Sequence, residues 1–132
     1  MHIADGLDEP GLARLVTHFY AQVRADPLLG PVFNRAIADW PEHLRKLADF
    51  WSSVMLTTGR YKGQPMPAHV RHRAEITPDM FNRWLALWEA SAAQCLPPEA
   101  AAAVIAKAHR IATSLQIMLF EYLPPLPAGA SN

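Results

Sequence analysis

Six histidines hold most of the metal- and proton-handling chemistry open to this 132-residue chain. A neutral imidazole nitrogen ligates metals, and the ring exchanges protons near neutral pH. The settings of the six differ. His69 lies in Gly63-Gln64-Pro65-Met66-Pro67-Ala68-His69-Val70-Arg71-His72-Arg73, a stretch broken twice by proline. Pro67 can open a short helix there, because proline is tolerated in a first helical turn. That helix carries His69 with basic residues directly behind it. His43 falls in the first turn of a strongly apolar helical face. His72 follows His69 closely and is a second candidate ligand. His2, His18 and His109 lack such surroundings and read as solvated or core-satisfied side chains. No CxxC pair, HExxH, phosphate loop or nucleophile elbow is present. The metal chemistry left open to the chain is therefore one imidazole on a metal.

The elements that must position these residues are helical. Asp8-Glu9-Pro10 marks a helix start, and Leu12, Leu15, Val16, Phe19 and Val23 follow at helical spacing. Tyr20 stands on the edge of that face, and Asp26-Pro27 closes the helix. Gly30-Pro31 limits 28–37 to short helical turns, with Phe33 and Ile37 inward. A second main helix opens at Asp39-Trp40-Pro41-Glu42, with His43, Leu47, Phe50 and Val54 in one stripe and Leu44, Trp51 and Met55 beside it. The stretch from Thr57 to Pro65 is loop by composition. Thr77-Pro78-Asp79 starts a third main helix carrying Phe81, Trp84, Leu85 and Trp88. The last helix spans about 98–122, with a stripe through Val104, Ile105, Ala108, Ile111, Ala112, Leu115, Met118 and Leu119. Pro124-Pro125-Leu126-Pro127 stops it, and a flexible tail over 124–132 is expected. No strand pattern or repeat appears, so the fold class is all-α, with a single domain over 1–132 and its core over about 9–122.

Composition bounds the partners. Lys and Arg balance Asp and Glu at 12 each, so no basic excess points to nucleic acid. Apolar residues make up 51% of the chain. A chain of this length can bury roughly two-thirds of its unfolded surface without staples. The lone cysteine, Cys95, excludes an internal disulfide and fits a reducing cytoplasm. There is no signal-peptide pattern over Met1-His2-Ile3-Ala4-Asp5 and no membrane-length apolar run. The expectation is a cytoplasmic protein that spans no membrane.

Haem asks three things of an all-α chain: an axial imidazole, a dry slot and cations at the propionate edge. His69 offers the first. The stripes through Phe33, Leu47, Phe50, Phe81 and Trp84 can form the second, and Arg45, Lys46, Arg71 and Arg73 are candidates for the third. The same residues also read as an ordinary aromatic core beneath a solvated charged face. Residue types and spacing alone leave both readings open, the second being a haem-free helical interaction module.

The combined pattern resembles the truncated haemoglobins, and within them the group III branch. It is carried by Phe19-Tyr20 with Val23 and Asp26; Leu29-Gly30-Pro31-Val32-Phe33; Trp40 with His43; Phe50-Trp51; Tyr61-Lys62-Gly63-Gln64-Pro65; His69; and Phe81-Asn82-Arg83-Trp84-Leu85-Ala86-Leu87. It runs from about Leu12 to Tyr122. The chain has no Gly-Gly pair, which also fits that branch. The resemblance implies a shortened globin, with two antiparallel helix pairs sandwiching haem b over helices at 9–25, 40–57, 78–95 and 98–122. It implies His69 as the proximal ligand to iron, favoured over His72 by its spacing from Tyr61 and Gly63-Gln64-Pro65. Tyr20, His43, Leu47 and Trp84 would form the distal ligand pocket. Phe33, Phe50, Tyr61, Arg71, Arg73 and Phe81 would contact the cofactor. His43 could point into the pocket, coordinate iron or swing to solvent.

The implied function follows from that pocket. Dioxygen, nitric oxide and carbon monoxide are the expected iron ligands. Tyr20 O–H and Trp84 N–H are both donors, and a hydrogen bond to a charged acceptor contributes roughly 1.5–3 kcal/mol. Expressed in an off-rate, that is roughly a 10- to 150-fold slowing per bond. Slow release argues against simple oxygen storage. It favours redox chemistry, either dioxygenation of nitric oxide to nitrate or peroxide detoxification, with a separate reductase as partner. The alternative is oxygen or nitric oxide binding and sensing without turnover. A monomer is expected.

Overall fold

The computed structural model describes residues 6–122. His2 and the 124–132 tail lie outside the described residues. Six α-helices follow in order: α1 Glu9–Ala25, α2 Gly30–Ala36, α3 Trp40–Leu56, α4 Pro65–Arg71, α5 Pro78–Cys95 and α6 Pro98–Ile117. A 3₁₀ turn at Arg73–Glu75 separates α4 from α5, and a π-helical turn at Met118–Tyr122 extends α6. No strand occurs among the described residues.

Proline starts every one of these α-helices, in the first or second position. Its fixed φ suits that site, and its missing N–H would find no intrahelical acceptor there. Side-chain caps reinforce three of the starts. Asp8 accepts from Gly11 N at 2.8 Å, Asp39 from Glu42 N at 3.1 Å and Thr77 from Met80 N at 3.4 Å. Helix α4 begins at Pro65, two residues before the expected start at Pro67, so both prolines sit in its first turn. Helix α3 ends on Thr57 in the left-handed region at φ 57°, a conformation that disfavours a β-branched residue.

α1 packs against both α3 and α5, and α5 packs against α6. These pairings make the two-over-two sandwich. The main core draws on Leu12, Leu15, Phe19 and Val23 of α1, Trp51 of α3, Trp88 of α5 and Val104 and Ala108 of α6. A second cluster joins Phe81, Ala112, Leu115 and Leu119, with Met66, Val70 and Ile76 packed against it. It seats α4 on the lower ends of α5 and α6.

Two observations refine the helix faces expected from sequence. The stripe His43, Leu47, Phe50 and Val54 is only half-buried, whereas Trp40, Trp51 and Ser52 are the buried residues of α3. The α6 face continues through Met118 and Leu119 into the wider π turn, with Leu119 buried.

The corner between α1 and α2 is held by one carboxylate. Asp26 Oδ2 accepts from Leu28 N and Leu29 N, each at 3.0 Å, and Oδ1 accepts from Arg83 Nε of α5 at 2.7 Å. Burial pushes the Asp26 carboxyl up. The Leu29 N–H, Arg83 and Leu28 N–H bonds outweigh it and leave the group below the usual carboxylate range. Gly30 allows α2 to pass close to α1, because a Cβ there would lie 2.6 Å from the Arg24 carbonyl oxygen.

Candidate functional site

One wall of the site forms where α1, α2, α3 and α5 meet. Tyr20 is buried on α1. Its ring lies 5.9 Å from Phe33, 6.0 Å from Trp40 and 6.4 Å from His43, the last edge-on. Trp84 of α5 hydrogen-bonds to the Tyr20 hydroxyl. Indole N–H only donates, so the phenol oxygen accepts, and the phenol's own proton is left to point elsewhere. Burial pushes the Tyr20 phenol up to about 12, with the Trp84 bond acting in the opposite direction. Tyr20 therefore stays protonated and able to donate across the ordinary pH range.

His43 is half-buried, with its ring edge-on to Trp40 at 5.8 Å as well as to Tyr20. Of the three placements open to it, it is packed against these rings rather than swung out to solvent. Burial lowers its pKa, and the nearby Lys46 charge lowers it further, which favours the neutral ring. Sequence reasoning missed Trp40 as part of this wall. Its signal was there: Trp40 precedes His43 by one helical turn, so both fall on one face. Arg24 covers the outer side of Trp40, its guanidinium carbon 4.6 Å from the ring centroid.

Leu47 and Phe50 continue the half-buried α3 stripe away from His43 and pack at the margin of the main core. Phe50 meets Tyr61 edge-on at 5.3 Å. Tyr61 is anchored through its backbone N–H to Ser53 Oγ at 2.8 Å. Gly63 then passes beneath the Tyr61 hydroxyl, where a Cβ would come within 2.6 Å of Oη. This contact is the physical content of the Tyr61-Lys62-Gly63-Gln64-Pro65 motif.

His69 lies on α4, half-buried, with Nδ1 2.7 Å from the Pro65 carbonyl oxygen. A carbonyl only accepts, so Nδ1 carries the proton and the lone pair falls to Nε2. A second hydrogen bond of this kind commonly orients a metal-binding imidazole and raises its basicity. His72 is placed differently. It is turned toward Glu75, with Nδ1 3.6 Å from Oε2, and Arg35 of α2 also holds that carboxylate at 2.6 Å.

The remaining predicted residues divide. Phe81 is buried in the second cluster with Met66 and Val70 of α4 packed against it, not among the rings around Tyr20. Arg71 is exposed at the last turn of α4, and Arg73 opens the 3₁₀ turn, half-buried. Arg45 is engaged along its own helix with Glu42 and with Asp49 at 3.3 Å, so it belongs to a solvated face.

Among the described residues, no group of three or more His, Cys, Asp or Glu could hold a metal ion together. A single imidazole with a directed lone pair suits a metal whose other positions are filled by an organic ring. An all-α sandwich with that imidazole, a half-buried apolar stripe and a wall bearing phenol and indole defines a small globin-type site. The comparisons with known proteins agree. The group 3 truncated hemoglobin ctb of Campylobacter jejuni is 34% identical, the match covering 88% of this chain and 94% of that protein. The crystal structure of a group III truncated hemoglobin from Campylobacter jejuni superposes with a TM-score of 0.77 at 32% identity, covering 94% of this chain and all of that one. No family model matches the chain. The chain belongs to the group III truncated haemoglobins. Membership implies a haem cofactor with diatomic ligands at its iron, and the residues described above fit that group.

Proposed function

We propose that this protein binds haem b through His69 Nε2 and handles diatomic ligands beneath Tyr20, His43, Leu47 and Trp84. The observation that carries the reading is the His69 Nδ1 bond to Pro65 O at 2.7 Å, which frees Nε2 as a neutral ligand. The cofactor, when bound, supplies the redox-active iron on which dioxygen, nitric oxide or carbon monoxide sits. The chain does the rest. Tyr20 accepts from Trp84 and keeps its own proton for the ligand. Leu47 and Phe33 exclude water, and His43 stands neutral beside the phenol. Phe50, Tyr61 and Phe81 hold the ring edges, and Arg71 and Arg73 attract the propionates.

A pocket with a buried phenol held ready to donate slows ligand release, which suits turnover more than easy exchange. The function supported best is therefore oxygen- and nitric-oxide-linked redox chemistry. It is either nitric oxide dioxygenation to nitrate or peroxide reduction, in a cytoplasmic monomer served by a separate reductase. No helix among the described residues is long and apolar enough to cross a membrane.

Absorption spectra of the purified protein, then reduced and exposed to carbon monoxide, test haem binding directly. A Soret band that shifts with carbon monoxide is expected, whereas a colourless protein that takes up no added haem supports the interaction-module reading. His69→Ala should lose haem; unchanged colour and stability would remove the proximal assignment. Mixing the oxygenated protein with nitric oxide separates the reactions. Rapid nitrate formation sustained by a reductant is expected, and slow stoichiometric conversion would indicate binding or sensing without turnover.

A further inference from the structure

Tyr20, Trp40 and His43 form a closed triangle of rings. His43 lies 6.4 Å from Tyr20 and 5.8 Å from Trp40, and Trp40 lies 6.0 Å from Tyr20. All three separations fall within the range favoured by aromatic pairs. The imidazole stands at 89° to the phenol ring and at 90° to the indole. Tyr20 is 5% exposed and Trp40 8%, whereas His43 is half-buried. The imidazole is therefore the member of the triangle with a path to water.

Helix geometry decides which neighbour governs that path. Side chains on a helix lean toward its N-terminus, over the turn before. His43 thus leans over Trp40, three residues earlier. Trp40 is fixed from two sides. Tyr20 packs against it from within, and the Arg24 guanidinium carbon lies over its ring from without, 4.6 Å from the centroid. The Arg24 backbone is tied to α2 in turn, its carbonyl accepting from Asn34 Nδ2 at 3.3 Å. The next turn of α3 gives His43 no such hold. Lys46 is exposed, and its charge opposes protonation of the imidazole. Leu47 is aliphatic and half-buried. On α3, only Trp40 presents His43 with a flat and pinned surface.

We propose that Trp40, pinned by Arg24, is a positioning residue that holds the His43 ring inward and thereby restricts the pocket to diatomic ligands. The inference rests on the haem reading above, in which this wall faces the ligand. An inward ring occupies volume that a larger ligand needs. Such a ligand binds only the fraction of molecules with His43 turned out, and its apparent affinity falls by that fraction. A minor state of this kind is populated at about 0.1–10%. Releasing the ring should then tighten a bulky ligand by about tenfold or more and leave a diatomic one nearly unchanged.

The test uses the haem-loaded ferric protein, its loading verified by the Soret band, titrated with cyanide and with free imidazole. Trp40→Leu removes the flat ring. It should tighten imidazole by about tenfold or more and move cyanide far less. Arg24→Gln removes the pin from an exposed position and should shift imidazole in the same direction by less. It carries the test if far-ultraviolet circular dichroism shows Trp40→Leu misfolded. His43→Ala should admit imidazole on its own, and adding Trp40→Leu to it should bring no further gain. A full further gain there would show that Trp40 blocks the pocket by its own bulk, and would overturn the positioning role. So would an imidazole-to-cyanide ratio unmoved in Trp40→Leu, or in Arg24→Gln where it stands in. Either result leaves haem binding intact, whereas absence of a Soret band would overturn both.

Discussion

The two sides of the candidate pocket are built differently. Around Tyr20, side chains from α1, α2, α3 and α5 interlock through buried rings, the Trp84 bond and the Asp26 clamp. The segment from Tyr61 to Glu75 is held by fewer and more exposed ties: the Tyr61 N–H to Ser53, the Met66, Val70 and Ile76 contacts and the Arg35–Glu75 pair. One side is set by close packing, where small volume changes are felt. The other is a short helix leaning on a satellite cluster. On the proposed haem reading, selectivity falls to the rigid wall, and the imidazole-bearing segment adjusts to what it holds.

The largest test of that contrast is Phe19→Ala. Phe19 is fully buried and touches Tyr20, Trp84 and Trp88 edge-on. Truncation should cost about 3–5 kcal/mol in urea unfolding. A cost no larger than that of a surface change would mean that the wall is not rigid. Asp26→Ala comes next. It strips acceptors from Leu28, Leu29 and Arg83, and about 1–3 kcal/mol is expected at neutral pH. Because the folded pKa of Asp26 is depressed, its contribution is present above the unfolded carboxylate value and fades as pH falls through the folded one. Wild type and variant should therefore converge in stability in acid, and a constant gap would contradict the clamp.

A pair of glycine substitutions sharpens the comparison further. Gly30→Ala drives a methyl toward the Arg24 backbone carbonyl, which cannot move aside, and about 1–3 kcal/mol is expected from overpacking. Gly63→Ala meets the tip of the Tyr61 side chain instead, which can swing. Calorimetry should show the first variant clearly the less stable, and equal losses would erase the difference between the two sides. The smallest effect belongs to Arg35→Ala. The Arg35 side chain is 61% exposed, and an exposed ion pair is screened by salt. Stability should be nearly unchanged, with any difference vanishing at high salt.

Much of the site was readable from neighbouring residues. The proline-marked starts of α1, α3, α5 and α6 fall where the sequence places them, because capping and proline geometry act within one turn. The face of α1 is buried along the predicted stripe, and that of α6 is buried at Val104, Ala108, Ala112, Leu115 and Leu119 and half-buried at Ile105, Ile111 and Met118. The α3 stripe through His43, Leu47, Phe50 and Val54 reads as one face of the helix and is half-buried, a degree of burial that periodicity does not give, because it identifies a face without saying what lies opposite. Phe81 and Trp84 share a helix and read as one pocket stripe. They part company because α4 and α6 take the first, while α1 takes the second.

The sequence by itself determined the all-α class, the positions of the main helices and which histidine stands in a motif. These follow from local backbone preferences and from spacing along one chain segment. Only the tertiary structure decided that Trp84 bonds to Tyr20, that Arg83 closes on Asp26, that Arg45 turns to its own helix and that three indoles stack through the core. Most of these pairings join residues far apart in the chain. Their geometry depends on how whole helices pack, which no local pattern records.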